Sequence, residues 1–331
     1  MTLGDTPTTV AISAAAPSQP APPPGLRIDL AGWTRDATRG SAHDFFALFE
    51  TAEQLGFDGV WFSEFRLASP DWPYPSPLLL AAALLARTER LRIGTAVLVL
   101  PLHKPQLLAE ELQQLAFQSG GRLDVGLGRG TDPATLNALG IRPEDTRPLF
   151  EKACDTLLAG PHPPLYIGGT TAESIDFAVQ RDLPLLLSLE PPEARQLTLL
   201  DAAAGAAAPG LRARSSLARY VCIAPTRAEA LAQLEQLWPR LHERRVYFAA
   251  KRGVPSHEVQ PIDTSRMLRE QFVWGEAEQC LAQLKVLLEH TGIQALRCVF
   301  NANGLLDNTT ALAHMRLFAR EVLPVLRTQL A

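Results

Sequence analysis

An arginine flanked by two glycines, in Gly128-Arg129-Gly130, is the first feature of the sequence that could do chemistry. It follows the apolar run Leu123 to Leu127, which predicts a buried strand. A guanidinium offers paired hydrogen-bond donors to phosphate oxygens, and glycines let a ligand approach the bare backbone. The pattern favours a phosphate contact at the end of this strand, with an ordinary surface arginine as the alternative.

A second candidate for a phosphate site is the segment PLYIGGTTAES, residues 164–174. A predicted strand runs into Gly168-Gly169, and the hydroxyl residues Thr170-Thr171 and Ser174 follow where a helix should begin. These hydroxyls can cap the helix. The same arrangement presents amides and hydroxyls to an anion at the positive end of the helix, so both interpretations are compatible.

Candidates for acid–base chemistry are fewer. Glu64 and Arg66 follow a predicted strand at 60–63, and His103 lies in the turn after another strand at 91–100. Histidine titrates near neutral pH and can act as an acid or a base, although a single loop histidine is more often structural or solvated. No cluster of His, Cys and acidic residues has metal-ligand spacing, so we expect no metal.

The elements that must position these residues alternate along the chain. The predicted strands cover residues 26–31, 60–63, 91–100, 123–127, 165–168, 185–189, 219–224 and 296–300, and helical segments separate almost all of them. This alternation predicts a parallel sheet, and eight units favour a (β/α)8 TIM barrel over a doubly wound open sheet. Active sites of such barrels lie at the C-terminal ends of the strands, where the candidates lie.

Three further segments complete the expected architecture. Long helices at 228–250 and 308–327 are expected to pack outside the barrel, and 251–272 is predicted to be a long loop over its mouth. The first 25 residues are rich in Ala, Pro, Thr and Ser, which predicts a disordered tail. The interpretation is therefore a tail at 1–25 and one barrel domain at 26–331.

Composition limits the partners. The chain has 331 residues, a net charge of −4, 47% hydrophobic and 20% charged residues, as in an ordinary globular protein. Neither nucleic acid nor a membrane is an expected partner, because no basic excess and no apolar run of about 20 residues is present. Four scattered cysteines indicate reduced core thiols and a cytoplasmic location.

The stretch IGTAVLVLPLHKP, residues 93–105, continues into AEELQQLAFQSGGRLDVGLGRG, residues 109–130. Together they resemble the central signature of the bacterial luciferase-like, flavin-dependent monooxygenases. Segments 164–174 and 291–304 match in the same order, the latter closely resembling the luciferase α-type subunit. The resemblance extends over nearly the whole chain from residue 26 and implies a luciferase-like barrel.

The resemblance also implies an activity. Such an enzyme uses reduced FMN (FMNH2) and O2 to oxygenate a small organic substrate, by hydroxylation or by Baeyer–Villiger-type insertion of oxygen beside a carbonyl. A separate flavin reductase would supply the reduced flavin, and the protein would be a homodimer formed through early barrel helices.

The same resemblance assigns roles to residues. Arg129 and Arg147 would bind the flavin phosphate, and the segment from Gly168 to Ser174 would hold the phosphate and ribityl chain. Ser188 would lie near the flavin. Ala96-Val97 corresponds to a position where the family often has a non-proline cis peptide beneath the flavin ring.

The sequence departs from the family at two of these places. The family typically has Glu-His-His where Glu64-Phe65-Arg66 stands, and its first histidine is important for chemistry at the flavin. Loss of that histidine argues against luciferase-type light emission. His103 is the nearest substitute by position, while Arg66 could stabilise negative charge or bind an acidic substrate. Thr170 replaces an acidic residue.

Two alternatives remain open. One is a non-catalytic flavin-binding protein or subunit that keeps the phosphate site after losing the histidine. The other is an oxidoreductase that uses the deazaflavin F420, a cofactor found in the same superfamily. The luciferase-like final strand favours FMN.

Overall fold

A computed structural model describes residues 25–34, 37, 40–67, 75–130, 132–251 and 253–329. The predicted tail lies outside the described residues, apart from Gly25.

Within the described residues, nine parallel strands form one sheet. They are β1 Arg27–Ala31, β2 Gly59–Phe62, β3 Arg92–Val99, β4 Leu123–Gly128, β5 Leu165–Ile167, β6 Leu186–Leu187, β7 Ser216–Ile223, β8 Phe272–Gly275 and β9 Ala295–Val299. The eight predicted strands correspond to all of these except β8. Their apolar runs are readable because the strands are buried on both faces.

The sheet closes on itself. Its hydrogen-bonded order is β5-β4-β3-β2-β1-β9-β7-β6, and a single bridge between Ile167 and Leu185 joins the two ends. The bridge includes a hydrogen bond of 2.9 Å from the amide of Ile167 to the carbonyl of Pro184. β7 pairs with β9 along its first half and with β8 along its second half, the change occurring at Tyr220. The fold is therefore the expected (β/α)8 barrel, with β8 added beside β7.

Helices surround the sheet. They are α1 Ala42–Gln54, α2 Pro77–Leu85, α3 Pro105–Gln118, α4 Pro133–Ala138, α5 Thr146–Leu158, α6 Ala172–Gln180, α7 Glu193–Ala204, α8 Ala208–Arg214, α9 Arg227–Lys251, α10 Thr264–Glu270, α11 Ala277–Thr291, α12 Asn308–Glu321 and α13 Leu323–Gln329. In α3 the buried residues are Leu108, Leu112 and Leu115, the stripe that its spacing predicts. None of the described helices combines the length and the apolar character needed to span a bilayer.

Two predicted segments differ from the structure. The segment 251–272 is not one long loop, because α10 lies within it and leads directly into β8. The predicted helix 308–327 is two helices, and Pro324 in the first turn of the second has no amide hydrogen to continue the first.

The barrel interior contains a buried ionic network. Asp124 accepts hydrogen bonds from Arg92 at 2.8 and 2.9 Å, and its carboxylate is 2.8 Å from Arg27. Burial alone would raise the pKa of Asp124, but these two guanidinium groups lower it below its ordinary value. Arg27 also pairs with Asp29, which accepts a hydrogen bond from the indole of Trp61. Arg27, Arg92 and Asp124 are the first or second residues of β1, β3 and β4, so the network lies towards the N-terminal ends of these strands.

Candidate active site

Glu64, Arg66 and His103 form one cluster at the C-terminal ends of β2 and β3. Oε2 of Glu64 is 2.9 Å from Nε2 of His103, and Oε1 is 2.7 Å from a terminal nitrogen of Arg66. The Glu64 side chain is fully buried, whereas those of His103 and Arg66 are 15% and 32% exposed. The three residues proposed for catalysis from the sequence thus lie in direct contact, with the carboxylate beneath and the two basic groups nearer solvent.

The carboxylate of Glu64 is held ionised by its surroundings. Burial by itself raises its pKa, but the hydrogen bond and charge of His103, the amide of Val99 at 2.7 Å and the charge of Arg66 together lower it below the ordinary value. Glu64 is therefore an anionic anchor. It accepts hydrogen bonds and fixes the ring of His103 through Nε2.

The cluster of Glu64, Arg66 and His103, here called the carboxylate cluster, is hydrogen-bonded through its own strand to the Ala96-Val97 segment. The peptide between these residues is cis in the structure, the geometry that the family resemblance implies. The amide of Glu64 donates to the carbonyl of Val97 at 3.2 Å, and the hydroxyl of Ser63 donates to the carbonyl of Ala96 at 2.8 Å. The carboxylate cluster and this segment of β3 therefore form one hydrogen-bonded unit.

Glycines on the neighbouring strands make room for Val97. A Cβ added to Gly168 would lie 2.5 Å from Cγ1 of Val97, and one added to Gly128 would also overlap that side chain. Only residues without a side chain let Val97 lie against the ends of β4 and β5. These glycines thus allow Val97 of β3 to lie next to the ends of β4 and β5, after which the candidate phosphate-binding residues follow.

The junction between β5 and α6 is an N-terminal capping box. Thr171 is the N-cap, its side chain accepts from the amide of Ser174, and the Ser174 hydroxyl accepts from the amide of Thr171 at 3.2 Å. Gly169 lies against Ser174, where an added Cβ would overlap it. The predicted cap is present, and the N-terminal turn of α6 is presented at the barrel mouth with Gly168, Gly169 and Thr170 before it.

The two phosphate candidates Arg129 and Arg147 lie on different sides of this junction. Leu127 is in register with Ile167, so Arg129 follows β4 at the level where Gly169 follows β5. Arg129 is exposed and has no hydrogen-bond or ion-pair partner within the described part of the chain. Arg147, at the start of α5, is within 2.5 Å of Glu173 in the first turn of α6.

Arg147 is also paired with Glu151 on its own helix, at 2.8 Å. Both of its observed partners are carboxylates, and one of them belongs to α6. The structure therefore brings Arg129, Arg147 and the N-terminus of α6 together, in a region named here the anion corner. Glu173, in the first turn of α6, is the partner that joins Arg147 to this helix.

Ser188 follows β6, on the other side of β5. Leu185 is bridged to Ile167, so Ser188 lies three residues past its bridge, as Thr170 does on β5. The buried side chain of Gln196 accepts from the Ser188 amide and donates to its carbonyl, both at 3.0 Å. The Ser188 backbone is thus fixed beside the anion corner.

Two adjoining cavities lie at the mouth of the barrel. One of about 660 Å³ runs from Ser188 to the second half of α9 and to α10, and its lining is mostly apolar. The other, of about 290 Å³, reaches Ser63 and Phe65 after β2. Three residues line both cavities and form the wall between them, here called the shared wall: Tyr220, Arg244 and Phe248.

Sequence reasoning missed the shared wall. The helix carrying Arg244 and Phe248 was expected to pack only outside the barrel, yet its second half covers the mouth. Arg244 is fixed there by carbonyls of Ala302 and Asn303, at 2.9 and 2.8 Å, in the loop after β9. The available signal was the aromatic and basic run RRVYF, residues 244–248, within an otherwise amphipathic helix.

A parallel barrel with an anion corner, a buried carboxylate cluster and apolar cavities at the C-terminal strand ends defines a small-molecule enzyme of the TIM-barrel class. The family model for luciferase-like monooxygenases matches residues 26–160 and 150–295. The chain belongs to the luciferase-like monooxygenase family.

Three known proteins illustrate the similarity. The 4-hydroxyprotoasukamycin monooxygenase of Streptomyces nodosus subsp. asukaensis is 28% identical over 319 residues, covering 84% of this chain and 85% of the relative. The oxygenating constituent of 3,6-diketocamphane monooxygenase from Pseudomonas putida, a type II Baeyer–Villiger monooxygenase solved with FMN, has a TM-score of 0.68 at 17% identity, covering 91% of this chain and 98% of that one.

The third is the coenzyme F420-dependent tetrahydromethanopterin reductase of Methanopyrus kandleri. Its TM-score is 0.62 at 14% identity, covering 91% of this chain and 99% of that one. The fold is thus shared with proteins that use either cofactor.

Proposed function

We propose that the protein is an FMN-dependent monooxygenase that uses reduced FMN and O2 to oxygenate a small organic substrate. The observation that carries the proposal is the meeting of Arg129, Arg147 and the N-terminus of α6 at one side of the barrel mouth, next to the cis segment Ala96-Val97. Hydroxylation and Baeyer–Villiger-type insertion are both open to such a site.

The residues fit the cofactor. The anion corner offers two guanidinium groups and the positive end of a helix to a phosphate. Gly168 and Gly169 leave the approach to that helix without side chains, and Thr170 and Ser188 follow the neighbouring strands β5 and β6, each three residues past the bridge between them. Ala96-Val97, with Ser63 beside it, would lie under the ring system.

When bound, reduced FMN supplies the electrons that activate O2. The protein's own part is to exclude water, to hold the substrate and to manage protons. Glu64 orients His103 through Nε2, so a proton can be exchanged at the remaining ring nitrogen Nδ1. Arg66, neutralised on its Glu64 side, offers its other donors to negative charge that develops above the carboxylate cluster.

The test combines binding with reactivity. Arg129→Ala and Arg147→Ala should each weaken FMN binding by about tenfold or more in a fluorescence-quenching titration, because the phosphate loses charged donors. Arg142→Ala is a matched control, since Arg142 is an exposed arginine paired with Asp145. Unchanged FMN affinity in both variants would mean that the phosphate binds elsewhere.

Reactivity is measured by mixing the protein with FMNH2 without oxygen and then admitting O2. An oxygenase should delay the return of the oxidised-flavin absorbance relative to free FMNH2, and His103→Gln should shorten that delay. Tight FMN binding with no delay would favour the non-catalytic flavin-binding protein, which the loss of histidine at Phe65 also suggests.

The F420-dependent oxidoreductase is the second candidate, because the fold is shared with an F420-dependent enzyme. The experiment is a direct competition. If F420 displaces FMN at equal concentration and is reduced by a substrate, the FMN assignment fails.

A separate reductase and a homodimer complete the proposal. Large apolar side chains lie exposed on α2 and α3, namely Leu79 at 74%, Leu107 at 59% and Phe117 at 77%. Exposed apolar groups on adjacent helices are typical of a protein interface. Phe117→Glu should therefore convert a dimer into a monomer in a sedimentation experiment.

All four cysteines are buried and form no disulfide, which supports a location in the reducing cytoplasm.

A further inference from the structure

We propose that the hydroxyl groups of Thr34 and Tyr220 donate hydrogen bonds to an oxygen of the substrate in the smaller cavity, and that an apolar body attached to this oxygen occupies the larger cavity. The substrate would then be an apolar molecule with an acceptor oxygen, of a carbonyl or a carboxylate, at its reacting end. This inference rests on the proposed function for the reaction itself, and it adds the residues that orient the substrate.

The two hydroxyl-bearing side chains line the same small space. Both line the cavity of about 290 Å³, although Thr34 follows β1 and Tyr220 lies within β7. β1 and β7 both pair with β9, so strands two places apart in the sheet bring these residues to one cavity. Thr34 is 4% exposed and Tyr220 is 7% exposed. The fold thus brings two buried hydroxyl groups to one cavity.

Each of these hydroxyls keeps a hydrogen that the protein does not use. The oxygen of Thr34 accepts a hydrogen bond from the amide of Ser63 at 2.7 Å, and that of Tyr220 accepts one from Nδ2 of Asn303 at 3.1 Å. Within the described part of the chain, neither hydroxyl has an acceptor for its own hydrogen. Buried polar hydrogens are nearly always bonded, so the acceptor must come from whatever occupies the cavity.

The phenol of Tyr220 is held in place and stays protonated. Its ring stacks on that of Phe272 with 4.8 Å between centroids, and Trp238 packs edge to face against Phe272 at 5.5 Å. Burial raises the pKa of Tyr220, so the phenol keeps its hydrogen. A donor that is already fixed loses little freedom when a ligand binds, and it therefore sets the orientation of that ligand.

The smaller cavity lies next to the proposed flavin-ring site. Ser63 lines this cavity, and its hydroxyl donates to the carbonyl of Ala96 in the cis segment at 2.8 Å. The amide of the same residue donates to Thr34, so hydrogen bonds at Ser63 connect the threonine to the cis segment. A substrate oxygen bound at Thr34 would bring the carbon that carries it to the flavin side of the cavity.

The larger cavity determines the rest of the ligand. It meets the smaller cavity at the shared wall, and apolar side chains dominate its lining: Leu189, Leu241, Phe248, Ala249, Val254 and Val259. Such walls bind hydrocarbon or aromatic bodies by excluding water, and a few polar groups then set their orientation. The two cavities together fit an apolar molecule whose acceptor oxygen lies at one end.

Two probes that differ only in the oxygen test the inference. 6-Propionyl-2-(dimethylamino)naphthalene carries a ketone, and 2-(dimethylamino)-6-propylnaphthalene has a methylene in its place. Both are titrated by fluorescence into the full chain without added flavin. Tyr220→Phe and Thr34→Val should each weaken binding of the ketone by about three- to tenfold and of the oxygen-free probe by less than about twofold. Emission of the bound ketone should also move to shorter wavelength, because its carbonyl loses a hydrogen bond.

Controls separate the hydroxyls from folding. Thr34→Ser should recover most of the ketone affinity that Thr34→Val loses, because serine restores the hydroxyl. Tyr166→Phe and Thr88→Val should change neither affinity, since both residues are buried and line neither cavity. The hydroxyl of Thr88 also spends its hydrogen on the carbonyl of Leu84 at 2.8 Å. Equal losses of the two probes in Tyr220→Phe and Thr34→Val would overturn the inference.

A third probe distinguishes the two kinds of acceptor oxygen. 6-(Dimethylamino)-2-naphthoate has the same ring system and carries a carboxylate. Whichever of the ketone and the carboxylate binds the unsubstituted chain more tightly identifies the acceptor. That probe must lose affinity in Tyr220→Phe and Thr34→Val, and unchanged affinity in both variants would make the inference wrong.

An FMN titration of the same two variants completes the design. If FMN affinity falls as far as that of the ketone, the hydroxyls bind the flavin and the inference fails. If the unsubstituted chain binds no FMN, the proposed function fails, while the probes still decide whether Thr34 and Tyr220 bind an acceptor oxygen.

Discussion

The carboxylate of Glu64 lies between His103 and Arg66, 2.9 Å from the imidazole Nε2 and 2.7 Å from the guanidinium. One buried anion thus holds two basic groups whose other sides face the mouth. Phe65 follows Glu64 in the chain, and the histidine that contacts this carboxylate is His103, from the turn after β3.

Replacing Glu64 with Gln should lower the free energy of unfolding by about 1–3 kcal/mol, because it removes the negative charge that His103 and Arg66 share and turns one of the two acceptor oxygens into a donor. Urea denaturation measures the change. Glu50→Gln, which breaks a surface pair with Arg87, should cost less than about 1 kcal/mol. Equal stability of the two variants would show that Glu64 does not hold the carboxylate cluster.

Gly168→Ala should weaken FMN binding by about tenfold, since the new Cβ would overlap Val97 and displace the end of β5 from the cis segment. A flavin titration measures it. The double variant Gly168→Ala with Val97→Ala should recover much of the affinity, because truncation removes the overlapping methyl. Gly160→Ala is the control, as the nearest atom to an added Cβ there is 3.9 Å away. Failure of the double variant to recover would mean that Val97 is not the obstacle.

Glu173→Gln should tighten FMN binding by about three- to tenfold at low salt, since Arg147 would no longer share its charge with a carboxylate at the N-terminus of α6. The gain should shrink as salt is added, because exposed charges are screened. Glu278→Gln, in the first turn of α11, is the matched control and should have no effect. Weaker binding in Glu173→Gln would show instead that the ion pair positions Arg147 for the ligand.

Acid should destabilise the fold through His314. Burial lowers its pKa to about 4, from an ordinary value of 6.5. Between these values the unfolded chain binds more protons than the folded one, so stability falls as the pH falls through this window. The loss attributable to this group from about pH 7 to about pH 5 is about 2 kcal/mol.

The test of His314 is urea denaturation at both pH values. His314→Gln should show a smaller loss than the unsubstituted chain, because glutamine does not titrate. If both chains lose the same free energy of unfolding, other groups account for the acid sensitivity.

Much of the fold could be predicted from the sequence because barrel strands are buried on both faces. The runs at Leu91–Leu100 and Leu123–Leu127 agree with β3 and β4 to within a residue at each end. β8 was not predicted, since four residues that follow directly on the short helix α10 carry neither a turn signal nor a repeated pattern. Its place is determined by pairing with β7, whose paired residues lie 52 positions earlier in the sequence.

Some residues of the candidate site could likewise be predicted from the sequence, and others could not. Glu64, His103 and the Gly168-to-Ser174 segment follow strands and were visible as polar residues at strand ends. Arg244 and Tyr220 were not visible as a pair. What makes the arginine part of a cavity is its contact with the loop at Ala302, 58 residues further along the chain, and no local pattern encodes that contact.

The single bridge between Ile167 and Leu185 makes the boundary between β5 and β6 the part of the barrel with the fewest hydrogen bonds between neighbouring strands. That boundary ends directly below Thr170 and Ser188, which lie three residues past the bridge on the two strands. Amide hydrogens there should exchange faster with deuterated solvent than those of β3 and β4. A ligand that contacts both strands would hold this boundary closed. Slower hydrogen exchange at these amides would then show that the ligand has bound, without any measurement of turnover.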